Sequence, residues 1–145
     1  MSKAAVRGLN HLTLAVTDLD RSLAFYGDLL GCDLRAVWTD GAYLQAGSLW
    51  LCLSVDERAG DAQRPDYTHY AFDVDADAFG ELAARVRSQA PLWKENVSEG
   101  ASLYFLDPDG HRLELHVGTL ASRVEHYRSR PDSGVNIHGP GGQAA

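Results

Sequence analysis

Apolar and polar positions alternate through residues 9–16, LNHLTLAV, and a period of two predicts a strand. The period then lengthens. DRSLAFYGDLLG, residues 20–31, spaces its apolar positions as an amphipathic helix does, has Asp18 or Asp20 available as a cap, and stops at Gly31. Three short runs follow, CDLRAVWT, AYLQAGS and LWLCLSV, rich in β-branched, aromatic and leucine residues and separated by the turn formers Asp40-Gly41 and Gly47-Ser48. This gives the order βαβββ. After the polar segment DERAGDAQRPD the same order returns: YTHYAFDV as a strand, ADAFGELAARVRSQA as a helix, and LWKENV, SLYFLD and RLELHV as three strands.

The repeat is sharpest where Asn10-His11-Leu12 parallels Thr68-His69-Tyr70, an offset of 58 residues. Identity between the halves is slight, so the duplication rests on element order. The expected organisation is α+β, with a first βαβββ module over 6–56, a linker over 57–66 and a second module over 67–118. A C-terminal helix over 119–130 and a flexible tail over 131–145 complete it. His138 lies in that Gly-rich tail, a poor place for a fixed ligand.

A chain of 145 residues, 45% hydrophobic, can bury one compact core or two closely associated half-size modules. Its start lacks the apolar core of a secretory signal and no apolar run is long enough to span a bilayer, so no membrane association and a cytoplasmic location are expected. Cys32 and Cys52 form no CxxC pair or disulfide framework, which suits a reducing compartment. The net charge of −7, with Lys and Arg scattered, argues against nucleic acid as a partner. It leaves room for a small anionic substrate, because a few cations in a cleft set the local field.

His11 and His69 begin equivalent strands, and modules related by a pseudo-twofold axis would aim both imidazoles into one cleft. Glu114 alternates with Leu113 and Leu115, so it faces the other side of its strand and needs a cationic partner there. Two imidazoles and a carboxylate form a donor set for Mn, Fe or Zn, with coordination positions left open for substrate. The competing reading gives each His a core hydrogen bond and Glu114 an exit at the sheet edge. His111 and His116 are alternative ligands, for which a turn role and a packing role respectively are expected.

The segments LNHLTLAV, FYGDLLG, GAYLQAGSLWLCLS, DYTHYAF, WKENVSEG and YFLDPDGHRLELHVG, in this order over residues 8–130, resemble the glutathione-dependent fosfomycin resistance proteins of the vicinal oxygen chelate superfamily. The NHL start and the DPDG turn are shared across that superfamily; SLWLCLS, DYTHYAF and SEG are the specific motifs. The resemblance implies two βαβββ modules of the vicinal oxygen chelate fold, domain-swapped between two chains of a homodimer. It implies that His11 shares Mn(II) with His69 and Glu114 of the other chain. It further implies a potassium ion at the loop containing Asn96, Ser98, Gly100 and Ser102, although Val97 and Ala101 depart from the commonest form of that loop.

The implied substrates are fosfomycin, an epoxide bearing a phosphonate, and glutathione. Lys94, Ser98, Tyr104 and Arg123 match phosphonate-binding positions, Thr13 the residue beside the epoxide oxygen, and Trp50 and Cys52 the apolar wall. Tyr67 stands near the metal and Tyr43 is placed to orient or deprotonate the thiol. Cys52 is not read as a nucleophile, since nothing adjacent in sequence supplies a cation to favour its thiolate. Hydrolytic relatives place a glutamate where Gly41 stands, and relatives using bacillithiol or cysteine carry Cys at the Thr13 position; glutathione transfer remains. Two other readings stay open: an extradiol-type dioxygenase using Fe(II) on the same ligands, and a non-catalytic drug-binding protein of this fold.

Overall fold

The computed structural model describes residues 3–60 and 64–139. The first module consists of β1 (His11–Val16), α1 (Leu19–Leu23), β2 (Asp33–Trp38), β3 (Gly41–Ala46) and β4 (Leu49–Val55). The second repeats it with β5 (Tyr70–Asp73), α2 (Ala76–Arg87), β6 (Leu92–Lys94), β7 (Ser102–Leu106) and β8 (Arg112–His116). A last helix, α3 (Leu120–Arg128), is capped by Thr119, whose side chain accepts from Ser122 N while the Ser122 hydroxyl accepts from the cap amide. The expected α+β pair of βαβββ modules is therefore present. The tail expected to be flexible includes a single 3-10 turn at Pro131–Ser133, and its residues 140–145 lie outside the described residues, as do 61–63 of the linker.

Each module forms a four-stranded sheet of the same order, β1-β4-β3-β2 and β5-β8-β7-β6. The first strand runs parallel to the last, as a helical crossover requires, and the other pairs are antiparallel hairpins. Alternation decides the faces. Leu14, Val16, Ala42, Leu44, Leu51 and Leu53 from one sheet and Leu103, Phe105, Leu113 and Leu115 from the other are buried in one continuous core, with Ala83 and Val86 of α2.

Two local departures from the expected pattern have physical causes. The helix expected over 20–31 is α-helical only to Leu23 and continues as a π-helical segment, Ala24–Leu29. That wider turn carries Tyr26 fully into the core, where its hydroxyl donates to Asp107 Oδ2 at 2.6 Å. Burial, and then the neighbouring Asp107 charge, pushes the Tyr26 phenol well above its ordinary range. The second departure concerns His69, which precedes β5 instead of lying within it. Asp66 Oδ1 accepts from Thr68 N at 3.0 Å and the His69 ring bonds Tyr67 O at 2.9 Å, closing a turn before the strand begins.

The DPDGH turn between β7 and β8 fastens the modules together. Asp109 Oδ1 accepts from the Thr17 amide at 3.0 Å and its hydroxyl at 2.6 Å, and His111 Nε2 donates to Ala15 O at 2.7 Å. His111 thus has the turn role expected of it. The strand carrying Glu114 is tied in this way to the strand carrying His11.

Candidate metal centre and substrate site

Leu113 and Leu115 point into the core, so Glu114 emerges on the opposite face of β8, where it is 7% exposed. Its Oε1 lies 3.2 Å from His69 Nε2, and its Oε2 accepts from the Ser102 hydroxyl at 2.7 Å. That hydroxyl in turn accepts from His116 Nδ1 at 2.6 Å, which makes His116 an outer support of the carboxylate. His69 Nδ1 must be the protonated nitrogen, because its partner, Tyr67 O, can only accept. In the neutral ring Nε2 then presents a lone pair to a carboxylate oxygen. Two electron-pair donors facing each other call for a cation, and imidazole with carboxylate suits a divalent first-row metal.

His11 is prepared in the same way on the other sheet. Its Nδ1 contacts Asn10 Oδ1 at 2.8 Å, which leaves Nε2 as a donor to metal, and its ring rests on Trp50 with centroids 4.5 Å apart. Among the described residues, no three His, Cys, Asp or Glu side chains gather within one chain where they could hold a metal ion. One chain therefore brings His69 and Glu114 together and leaves His11 apart from them.

Around His69 stands an aromatic enclosure. Tyr67, Trp93 and Tyr104 lie 4.9, 5.4 and 6.2 Å from its ring. Lys94 donates to the Tyr67 hydroxyl and sits 4.8 Å and 4.9 Å from the centroids of Tyr67 and Tyr104. The Tyr67 hydrogen bond holds the Lys94 ammonium above the ordinary lysine range, so a positive charge stands close to His69 and Glu114. In the following loop, Asn96 Oδ1 accepts from the Ser98 amide and hydroxyl, and Asn96 Nδ2 donates to Gly100 O. Gly100 has φ +86°, and a Cβ there would meet Val117 O at 2.6 Å. Arg123 reaches the loop from α3 and is bound to Glu99 through Nε at 3.1 Å and through Nη2 to the Glu99 carbonyl at 3.0 Å.

The residues expected from the first module share the outer face of its sheet. The register sets Thr13 beside Cys52 and Cys52 beside Tyr43. Trp38, Tyr43 and Trp50 form a ladder with centroids 4.8 and 5.2 Å apart. Trp38 and Trp50 remain exposed, and Cys52 is buried. The expected residues thus fall into two groups, one on the first sheet and one on the second sheet with its 95–101 loop and Arg123 of α3.

Trp93 was not among the residues expected at the site. Its Nε1 donates to Leu113 O at 3.0 Å, immediately before Glu114, while its ring packs edge-on to His69. In the sequence it looks like one more strand aromatic; only its neighbour Lys94 pointed in this direction.

Comparison with known proteins agrees with this fold. The model of the Glyoxalase/Bleomycin resistance protein/Dioxygenase superfamily matches residues 8–115. Glutathione transferase FosA of Serratia marcescens is 53% identical over 133 residues, 90% of this chain and 94% of that protein. Metallothiol transferase FosB of Shouchella clausii is 36% identical over 139 residues, 91% and 95% of the two chains. The crystal structure of the fosfomycin resistance protein FosX from Listeria monocytogenes, complexed with Mn(II) and sulfate, superposes with a TM-score of 0.70 at 28% identity, covering 83% of this chain and 99% of that one.

Proposed function

The chain belongs to the Glyoxalase/Bleomycin resistance protein/Dioxygenase superfamily, and on that premise we propose that it inactivates fosfomycin by adding glutathione across the epoxide. The observation that carries this reading is the pairing of His69 with Glu114 at 3.2 Å beside a lysine and two tyrosines, a donor set next to a phosphonate-sized group of cation and hydroxyls. His11 of one chain would complete the ligand set with His69 and Glu114 of a second, in a homodimer with swapped modules. A divalent cation held there, Mn(II) in our reading, supplies a Lewis acid for the epoxide oxygen.

The protein's own groups do the rest. Lys94, Ser98, Tyr104 and Arg123 hold the phosphonate through charge-assisted hydrogen bonds, with Tyr67 keeping Lys94 in place. Thr13 stands by the epoxide oxygen, and Trp50 and Cys52 cover the carbon skeleton. Tyr43 orients the thiol. As the C–S bond forms, one epoxide C–O bond breaks and its electron pair stays on oxygen, which takes a proton. The thiol proton leaves to solvent, so neither oxidant nor reductant is consumed. Asn96, Ser98, Gly100 and Ser102 offer an all-oxygen set, the kind that suits a potassium ion. A cytoplasmic setting would supply the glutathione.

Incubation with Mn(II), fosfomycin and glutathione, followed by mass spectrometry, should reveal the one-to-one adduct. Cleavage of catechol with Fe(II) in the absence of any adduct would replace this reading with the dioxygenase one.

A further inference from the structure

The second strand of each module carries one inserted residue. Pairing of β2 with β3 slips between Leu34 and Ala36, and that of β6 with β7 slips between Leu92 and Lys94. The inserted residues, Arg35 and Trp93, stand 58 positions apart, the same offset as His11 and His69. A bulge re-aims the side chain it inserts. In the second module it delivers Trp93 onto the ring of His69. In the first it delivers a guanidinium onto the face that bears His11.

Arg35 Nη1 donates to Gln45 Oε1 at 2.7 Å. Gln45 is the cross-strand partner of Trp50, and Trp50 that of His11; the row ends on β2 at Asp33, and the Arg35 guanidinium joins it through Gln45. Arg35, Tyr43, Leu44, Gln45, Ser48 and Trp50 line a cavity of about 300 Å³. Arg35 forms no ion pair with the described residues, so in a chain of net charge −7 it is a cation left open at a cavity. Gln45 Nε2 is already committed to Gly47 O at 2.9 Å, which makes Gln45 an anchor for the guanidinium and leaves the remaining fork of Arg35 for a ligand.

We propose that this cavity anchors a carboxylate of the thiol co-substrate, with Arg35 as the residue that selects an anionic thiol peptide over a neutral thiol; the inference rests on glutathione transfer being the reaction. A guanidinium fork accepts a carboxylate through two parallel hydrogen bonds, and the Tyr43 and Trp50 rings give apolar flanks to the peptide's methylenes. The distances suit a tripeptide. From β1 to β2 is three strand spacings, roughly 14 Å, and an extended tripeptide spans about 10 Å, leaving the arginine side chain to cover the remainder. Fosfomycin, with a three-carbon skeleton, is too short to bridge the row. Tyr43 lines the same cavity and is the residue assigned to the thiol, so sulfur and carboxylate positions are joined by one surface.

The test is adduct formation by the Mn(II)-loaded full-length protein with two thiols, glutathione and 2-mercaptoethanol, in R35A, R35K and the unmutated enzyme. For R35A the ratio of kcat/KM for glutathione to that for 2-mercaptoethanol should fall about tenfold, through the KM for glutathione, while the KM for fosfomycin stays the same. R35K should recover part of the ratio. A ratio unchanged in R35A, or an equal loss with both thiols, overturns the subsite alone. Failure of the unmutated enzyme to form adduct with either thiol overturns the glutathione-transfer reading and the subsite with it.

Discussion

At the scale of single residues, the candidate centre is built from side chains whose tautomer and direction are set by their neighbours. Glu114 is buried and draws on His69 and Ser102 together, so Glu114→Gln removes the charge that would hold a metal and leaves only a neutral amide oxygen. Mn(II) affinity, read by the electron paramagnetic resonance signal of the free ion, should fall on the order of a hundredfold or more. Trp93→Phe keeps most of the ring but loses the hydrogen bond to Leu113 O. It should weaken Mn(II) binding about tenfold while costing only about 1 kcal/mol in urea unfolding; a loss of stability with unchanged metal affinity would make Trp93 a packing residue only. The Cys32 thiol is pushed up to about 11, first by burial and then by Asp33. A raised value keeps it protonated, and unreactive, throughout the neutral range. Alkylation of Cys32 followed by peptide mapping should therefore rise steeply only as the pH approaches 11; appreciable labelling near pH 8 would contradict this.

At the scale of elements, what was legible in the sequence was whatever depends on alternation. Leu113, Glu114 and Leu115 declare their faces by a period of two, and the order βαβββ could be read twice over. His11 and His69 stood out through their matching places in the two modules. What stayed hidden was everything that adds one residue to a regular element: the π-helical segment at Ala24–Leu29 and the bulges at Arg35 and Trp93. Such insertions arise from long-range contacts, here Tyr26 with Asp107, and leave no mark on local periodicity. Tyr26→Phe would leave a buried carboxylate short of a donor, at a cost of about 1.5–3 kcal/mol in urea unfolding. A cost below about 0.5 kcal/mol would mean that the π-helical segment is held by packing alone.

At the scale of the whole molecule, a shared core binds the modules of one chain back to back, so the faces bearing His11 and Glu114 both look outward. Leu34, Val37, Trp38, Trp50 and Tyr67 are left exposed, an apolar area that a second copy would cover. If each centre takes His11 from one chain and Glu114 from the other, mixing inactive H11A and E114Q proteins under conditions of subunit exchange should restore roughly a quarter of the native activity, since half the dimers then carry one intact centre of two. Centres completed within one chain would restore none. The fasteners at Asp107, Asp109 and His111 fix the angle between the two outward faces, and so bear on how well two copies fit.

With centres shared between two chains, that outward arrangement would make catalysis a property of abundance. If each centre needs two chains, a solitary molecule holds only disconnected halves, and its output should vary with the square of concentration when protein is scarce and in direct proportion once it is plentiful. A cell expressing traces of it would gain little protection, and a modest rise in expression would count for more than its size.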